Sequence, residues 1–379
     1  MKFDFDRVID RSASHCTKFE KYAGQDILPL WVADMDFQSP VAVIEALQRR
    51  VEHGVFGYTL PPPALVDVII ERLQRLYQWR VAAEDIFFMP GVVSGLNMAC
   101  RGLLDQHQAA ITATPVYYPF LDAPSLQQRQ LISLPVDKRA DGFHYPLEAL
   151  AEQAAGNAGL LMLCHPFNPI GRLLDRAELT EIAAICEREN LWICSDEVHC
   201  DLVFDGRQHI PLAMISPAAA MRTVTLMAPS KTFNIAGLGG SFAIIQNPEL
   251  RARFKAAGEG ILPNVNLLAY EAMLAAYRDS ADWHESLMTY LQGNRDYLYS
   301  ALNALPGVTM HKVEATYLAW LDISALGLNN PPGFFESHGL GMSPGAQFGD
   351  GDYMRLNFGC PRSVLEETVA RFRRALKVS

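Results

Sequence analysis

Ser230-Lys231-Thr232-Phe233-Asn234-Ile235-Ala236-Gly237-Leu238 lies just past the apolar run Thr223-Val224-Thr225-Leu226-Met227. A short uninterrupted run of this kind reads as a strand buried on both faces. A lysine emerging from such a strand is in an expensive place. Its ammonium snorkels to solvent, finds a partner charge, or loses its proton through a depressed pKa. In the last state the amine is a nucleophile that condenses with a carbonyl.

A second stretch decides between these outcomes. Leu191-Trp192-Ile193-Cys194-Ser195-Asp196-Glu197-Val198-His199 repeats the buried-strand pattern and delivers Asp196 at its polar end. Two strand ends then carry opposite charges, which is what pyridoxal 5'-phosphate requires: a lysine to hold its aldehyde and a carboxylate to keep its ring nitrogen protonated. A third run, Leu160-Leu161-Met162-Leu163-Cys164, leads into His165-Pro166-Phe167-Asn168-Pro169-Ile170-Gly171. Its prolines and glycine end the strand in a turn and free the Asn168 amide for a cofactor oxygen.

In this order, Asn-Pro-x-Gly, then Asp-Glu-x-His, then Ser-Lys, the chain resembles the fold-type I pyridoxal-phosphate enzymes of the class I and II aminotransferase superfamily over essentially its whole length. Within that superfamily, Leu30-Trp31-Val32-Ala33-Asp34-Met35-Asp36-Phe37 and Ser230-Lys231-Thr232-Phe233-Asn234 resemble the MalY/PatB type of cystathionine β-lyase. The resemblance implies a carbon–sulfur β-lyase that cleaves L-cystathionine or related cysteine S-conjugates to a thiol, pyruvate and ammonia. An amino-acid aminotransferase is the alternative with the same chemistry. A regulatory or binding protein that keeps the fold but turns over little is the alternative from another class.

Composition agrees with a small-molecule enzyme. The chain has 379 residues, half of them hydrophobic, enough for a substantial core in two or three domains. A formal net charge of −10 argues against a nucleic-acid partner. No stretch approaches the roughly twenty apolar residues of a membrane span, and the first residues do not read as a signal peptide. The seven cysteines contain no C-x-x-C pair, and two sit inside expected core strands, so they read as free thiols in a reducing compartment, with the cytoplasm as the expected location.

Helical periodicity appears over Pro40 to Val51, Ala64 to Tyr77 and Arg176 to Glu189. Between the helices lie short apolar runs over residues 85–89, 109–113, 160–164, 191–194, 224–227 and 242–245. The alternation predicts an α/β fold: a large domain with a mainly parallel sheet flanked by helices, with ligands gathered beyond the carboxyl ends of the strands. A helix from Trp283 towards Leu305, a strand over Tyr317 to Ile323 and a helix from Ser363 to Lys377 predict a smaller α+β domain. The resemblance adds the N-terminal segment to it, so that residues 50–280 form the large cofactor-binding domain and residues 1–49 with 281–379 a discontinuous small one.

Met89-Pro90-Gly91-Val92-Val93-Ser94-Gly95 falls between a strand and a helix. It reads as a tight turn or as a phosphate cradle of backbone N–H groups. The resemblance implies the second for Gly91, Val92 and Val93, with the Ser230 hydroxyl as a further phosphate contact. Many aminotransferases of this fold carry another Ser or Thr three positions before the lysine and an Arg eight after it; here Ala228 and Gly239 stand there. The resemblance also gives Tyr58 as a residue crossing a homodimer interface to the partner's phosphate site. It gives Tyr117, with Tyr118 as competitor, as the aromatic group stacked on the pyridine ring and part of the catalytic set with Lys231 and Asp196. His199 either contacts the cofactor's phenolic oxygen or supports a residue that does. Arg355 matches the family arginine that captures the substrate α-carboxylate, a task suited to a planar guanidinium, and Trp31 and Ala33 belong to the substrate side of the site.

Other motifs do not hold. Gly237-Leu238-Gly239-Gly240-Ser241 precedes a strand where a dinucleotide fingerprint follows one. Gly91-Val92-Val93-Ser94-Gly95 has its serine one place late for a nucleophile elbow. Cys194, His199 and Cys200 lack zinc-ligand spacing, so no metal is expected.

Overall fold

A computed structural model of the chain describes residues 3–139 and 142–378. After a single helical turn over Thr17–Glu20, the longer helices α1 (Val41–Glu52) and α2 (Pro63–Tyr77) turn apolar stripes inward, Val43 and Ala46 on α1 and Leu65, Ile69 and Leu73 on α2. The three- and four-residue spacing places each set on one helix face. Pro63 opens α2 where an N–H would lack an intrahelical partner in any case, and Gln78 closes it in the left-handed conformation.

There follow β1 (Ile86–Met89), α3 (Val92–Leu103), β2 (Ala109–Thr114), α4 (Pro119–Leu126), β3 (Gln130–Pro135), β4 (Ala158–Cys164), α5 (Arg176–Arg188), β5 (Trp192–Asp196), β6 (Thr223–Met227) and β7 (Ser241–Ile244). The strands form one sheet in the order β1-β7-β6-β5-β4-β2-β3. From β6 across to β3 every pairing is parallel, and β7 runs antiparallel to both its neighbours. Strands β4 and β6 are buried along their whole length, as apolar runs without alternation must be when both faces of a sheet are covered. A Cβ on Gly95 would come within 2.8 Å of the Leu226 side chain, so the glycine lets α3 lie close against β6. The α/β expectation and its mainly parallel sheet hold. The edge strand β3 is an addition: half exposed and ending in proline, it has neither the buried run nor the clean alternation that marks a strand in sequence.

Helices α6 (Leu267–Asp279) and α7 (Ala281–Asn303) lead to β8 (Thr309–Met310), β9 (Leu318–Asp322), β10 (Ser343–Pro344) and β11 (Tyr353–Asn357), and α8 (Arg362–Leu376) ends the chain's regular structure. The second sheet is antiparallel throughout, in the order β8-β9-β11-β10. Leu28-Pro29 pairs in parallel with Leu340-Gly341, which brings the start of the chain beside its end. One apolar cluster fills the space around the seven-stranded sheet, with Leu96, Ile111, Leu161, Ile193 and Leu226 at its centre. A second gathers Leu30, Met35 and Phe37 with Leu287, Leu318, Leu356 and Phe372. Residues 30–37 therefore belong to the packing of the C-terminal part although they come from the other end of the chain. At roughly 1.5–3 kcal/mol for each large apolar side chain buried, these clusters supply the main force holding the segment in place.

Candidate active site

Lys231 sits four residues past the end of β6, in the turn before β7. Its Nζ donates to the Ala33 carbonyl at 2.8 Å. Desolvation and then the nearby Arg355 charge lower its pKa to about 8, against the opposing pull of Asp34 and Asp196. A substantial neutral fraction near pH 8 makes this amine a usable nucleophile and base. Asp196 ends β5, buried, its Oδ1 accepting from the Val198 N–H at 3.1 Å. Burial pushes its pKa up to about 6, and the Val198 hydrogen bond and the Lys231 charge hold the rise in check.

Asn168 follows β4, and its side-chain oxygen accepts from Arg355 Nη1 at 3.1 Å. Arg355 projects from β11 and is buried. Its Nη2 donates to the Trp31 carbonyl at 2.6 Å and the Ser343 hydroxyl at 3.2 Å, and its guanidinium lies 4.6 Å from the Phe348 ring centre. Burial lowers its pKa to about 10. Among the described residues no carboxylate pairs with it and its Nε has no partner. A buried guanidinium left in this state is costly and calls for an anion.

Two adjoining cavities meet at Lys231, Ala33 and Tyr117. The inner one, about 250 Å³, brings together Gly91, Val92, Val93, Tyr117, Asn168, Asp196, His199, Ser230 and Lys231. The outer one, about 430 Å³, is lined by Trp31, Tyr118, Ser343, Phe348 and Arg355 among others. Tyr117 thus faces both cavities and Tyr118 only the outer one, with the two rings edge to face at 4.9 Å. His199 is buried, its imidazole pKa held well below the usual value by burial and by the charges of Lys231 and Arg355, and its Nδ1 has no partner. Tyr58 lines neither cavity of its own chain; it stands fully exposed beside the exposed Val55, Phe56 and Leu60. Among the described residues no three His, Cys, Asp or Glu gather as metal ligands, and no helix is long and apolar enough to cross a membrane.

The structure adds a wall that residue-by-residue reading missed. Within residues 30–37, Trp31, Val32 and Ala33 line the outer cavity and Ala33 also the inner one, and the segment is fixed by side chains from elsewhere in the chain. Asn234 accepts from the Met35 N–H at 3.0 Å and donates to the Met35 and Phe37 carbonyls at 2.9 and 2.8 Å. Asn357 donates to the Val32 and Asp34 carbonyls at 2.5 and 2.6 Å. The Asp34 and Asp36 carboxylates are tied down by Arg11 and the buried Lys18. Tyr317 adds a second hydrogen bond, 2.9 Å, to the carbonyl of Ala33 that receives Lys231. The two motifs that carry the MalY/PatB resemblance are therefore in direct contact. Single residue types gave no signal of the Asn234 and Asn357 bonds, since each joins a side chain to a backbone atom more than a hundred residues away.

Gly239 has a structural reason for its departure from the aminotransferase pattern. It adopts φ +66°, and a Cβ there would sit 3.2 Å from the Pro90 carbonyl oxygen. An arginine would be strained at this position.

The aminotransferase class I and II family matches residues 25–372, and the chain belongs to that family, with the fold of the type I pyridoxal-phosphate enzymes. It is 35% identical to cystathionine beta-lyase PatB of Bacillus subtilis (strain 168), over 98% of this chain and the whole of that protein. Among solved structures it is similar to the crystal structure of OvoB, with TM-score 0.97 and 47% identity over the full length of both chains. It is also similar to cystalysin from Treponema denticola, a structure that contains pyridoxal 5'-phosphate, with TM-score 0.95 and 31% identity over 100% of this chain and 99% of that one. These likenesses agree with the resemblance carried by residues 30–37 and 230–234.

The cofactor of this chain is pyridoxal 5'-phosphate. The inner cavity fits it. The carboxylate ends β5 and the lysine follows β6, His199 lines the same cavity with a buried Nδ1 that has no partner, and the first N–H groups of α3 suit a phosphate.

Proposed function

We propose that this chain is a pyridoxal-phosphate-dependent carbon–sulfur β-lyase acting on cysteine S-conjugates, L-cystathionine among them, and releasing a thiol, pyruvate and ammonia. The observation that carries the substrate class is the buried Arg355 without an anionic partner, across the shared cavity from Lys231. An α-amino acid satisfies both: its carboxylate pairs with the guanidinium in bidentate fashion, and its amine is presented beside the lysine.

Lys231, Asp196 and Tyr117 form the catalytic set. Lys231 would hold the cofactor covalently, and Gly91, Val92, Val93 and Ser230, with Asn168 and His199, would hold it in place. Asp196 would keep the ring nitrogen protonated, and Tyr117 would fix the plane of the ring. Bound pyridoxal phosphate supplies an electron sink for the pair left at Cα. Lys231, its amine neutral, would take the Cα proton as general base and return a proton to the departing sulfur at Cβ. Arg355, with Trp31 and Ala33 beside it, holds the substrate so that Cα faces Lys231. The aminoacrylate released hydrolyses in water to pyruvate and ammonia. Aminotransferase chemistry shares the same trio; what supports the lyase is residues 30–37 and 230–234, together with the likeness to PatB.

We further propose a homodimer in which Tyr58 reaches the partner's phosphate site, since the exposed stretch around it offers apolar groups to a second copy. The division into residues 50–280 and residues 1–49 with 281–379 and a cytoplasmic location complete the reading. Incubation of the purified protein with L-cystathionine, without any keto acid, tests the lyase: pyruvate and homocysteine should appear together. For the dimer, mixing Tyr58→Phe with Lys231→Ala protein should restore activity above either alone after subunit exchange, and full activity in a demonstrably monomeric sample would refute it.

A further inference from the structure

The outer cavity holds one charged group that neither the cofactor nor the α-carboxylate uses. Asp122 lies in α4 and lines this cavity on the side of Tyr118 and Trp31. The other carboxylates near the site are committed: Asp196 belongs to the inner cavity, and Asp34 is paired with Arg11 and Lys18. Among the described residues the Asp122 carboxylate has no hydrogen bond and no ion pair. Lys21, over the Trp31 ring at 5.2 Å, is already paired with Glu336 at 3.0 Å and does not answer it.

The cavity therefore has opposite charges among its lining groups, the Arg355 guanidinium and the free Asp122 carboxylate, with the faces of Trp31, Tyr118 and Phe348 among them. A substrate anchored at Arg355 by its α-carboxylate and at Lys231 by its amine must lay its sulfur substituent elsewhere in this space. An unpaired carboxylate on the wall of this cavity favours a positive charge on that substituent through an ion pair, and the aromatic side chains in the same lining suit a cation as well.

We propose that Asp122 is a specificity residue that selects cysteine S-conjugates whose sulfur substituent carries a positive charge. The assignment rests on the lyase reading of the same site. Because Asp122 is exposed to solvent, the discrimination is modest, about fivefold between a cationic and a neutral substituent of similar size and the same again against an anionic one.

The test compares kcat/KM of the holoenzyme for S-(2-aminoethyl)-L-cysteine, S-propyl-L-cysteine and S-(2-carboxyethyl)-L-cysteine, following pyruvate and free thiol. The order expected is cation, neutral, anion. Asp122→Asn should bring the cation-to-neutral ratio close to one, and Asp122→Lys should reverse the order of cation and anion, with the bound cofactor's absorbance reporting that both variants fold. Thiol release with no preference for the cation, or a preference that survives Asp122→Asn, overturns the assignment and leaves the lyase standing. No thiol and no pyruvate from any of the three overturns the lyase reading and this one with it.

Discussion

The two cavities share Lys231, Ala33 and Tyr117 but are built in different ways. The inner one is made of strand ends. Asn168, Asp196 and Lys231 each follow a buried apolar run, so the backbone of a closely packed sheet fixes where they stand. The outer one joins segments from opposite ends of the chain, residues 31–33 and 343–355, held to each other by Asn357, Ser343 and Arg355, to Tyr117, Tyr118 and Asp122 at the start of α4. The difference separates two jobs. Chemistry common to many reactions sits on the strand ends of the sheet, and choice of substrate sits where that sheet's helix α4 meets a wall set by a few long-range hydrogen bonds.

The largest effects should come from breaking the inner region. Lys231→Ala should cost roughly a thousandfold or more in turnover and abolish the adduct that borohydride fixes to the protein. Asp196→Asn should still bind cofactor but lose on the order of a hundredfold in kcat, with a much smaller change in KM. Normal turnover in a fully loaded Asp196→Asn sample would remove that residue from the catalytic set.

A change in the wall should separate the two regions. Asn234→Ala deletes three hydrogen bonds to Met35 and Phe37, which at about 1 kcal/mol each lowers stability by about 3 kcal/mol in a denaturant titration. Its KM for S-conjugates should rise by more than its cofactor dissociation constant. Equal damage to both would show that the cavities are not independent.

A smaller effect concerns pH. Capture of the cofactor needs the neutral Lys231 amine, whose pKa is lowered from 10.5 to about 8. The rate at which cofactor-free protein takes up pyridoxal phosphate should therefore rise with pH and reach its half-point near 8. Arg355 contributes to the depression, so Arg355→Met should move that half-point upward. Stopped-flow absorbance across pH checks this, and a half-point unmoved by the substitution would break the electrostatic link between the cavities.

The same division explains what could be read from the sequence. The inner residues were legible because each follows an uninterrupted apolar run, and burial on both faces leaves a plain trace in composition. The six expected strands of the large sheet appear within about two residues of their places, while β3, exposed on one edge, left no such trace. In the outer region, Arg355 and Trp31 were found only through family resemblance. Asn234 and Asn357 could not be recognised as clamps, because their partners are backbone atoms more than a hundred residues away. Asp122 looks like any helix-surface carboxylate until the fold places it on a cavity wall.

A carbon–sulfur lyase expels a sulfur leaving group from Cβ and does not pass the amino group on. The most direct test of this is a partition measurement: holoenzyme with a cysteine S-conjugate and 2-oxoglutarate in one vessel, following thiol, pyruvate and glutamate together. Thiol and pyruvate should appear in equal amounts, at a rate independent of 2-oxoglutarate, with glutamate a minor product. Glutamate formed as fast as thiol from every sulfur amino acid tested would contradict the lyase reading and make the protein an aminotransferase.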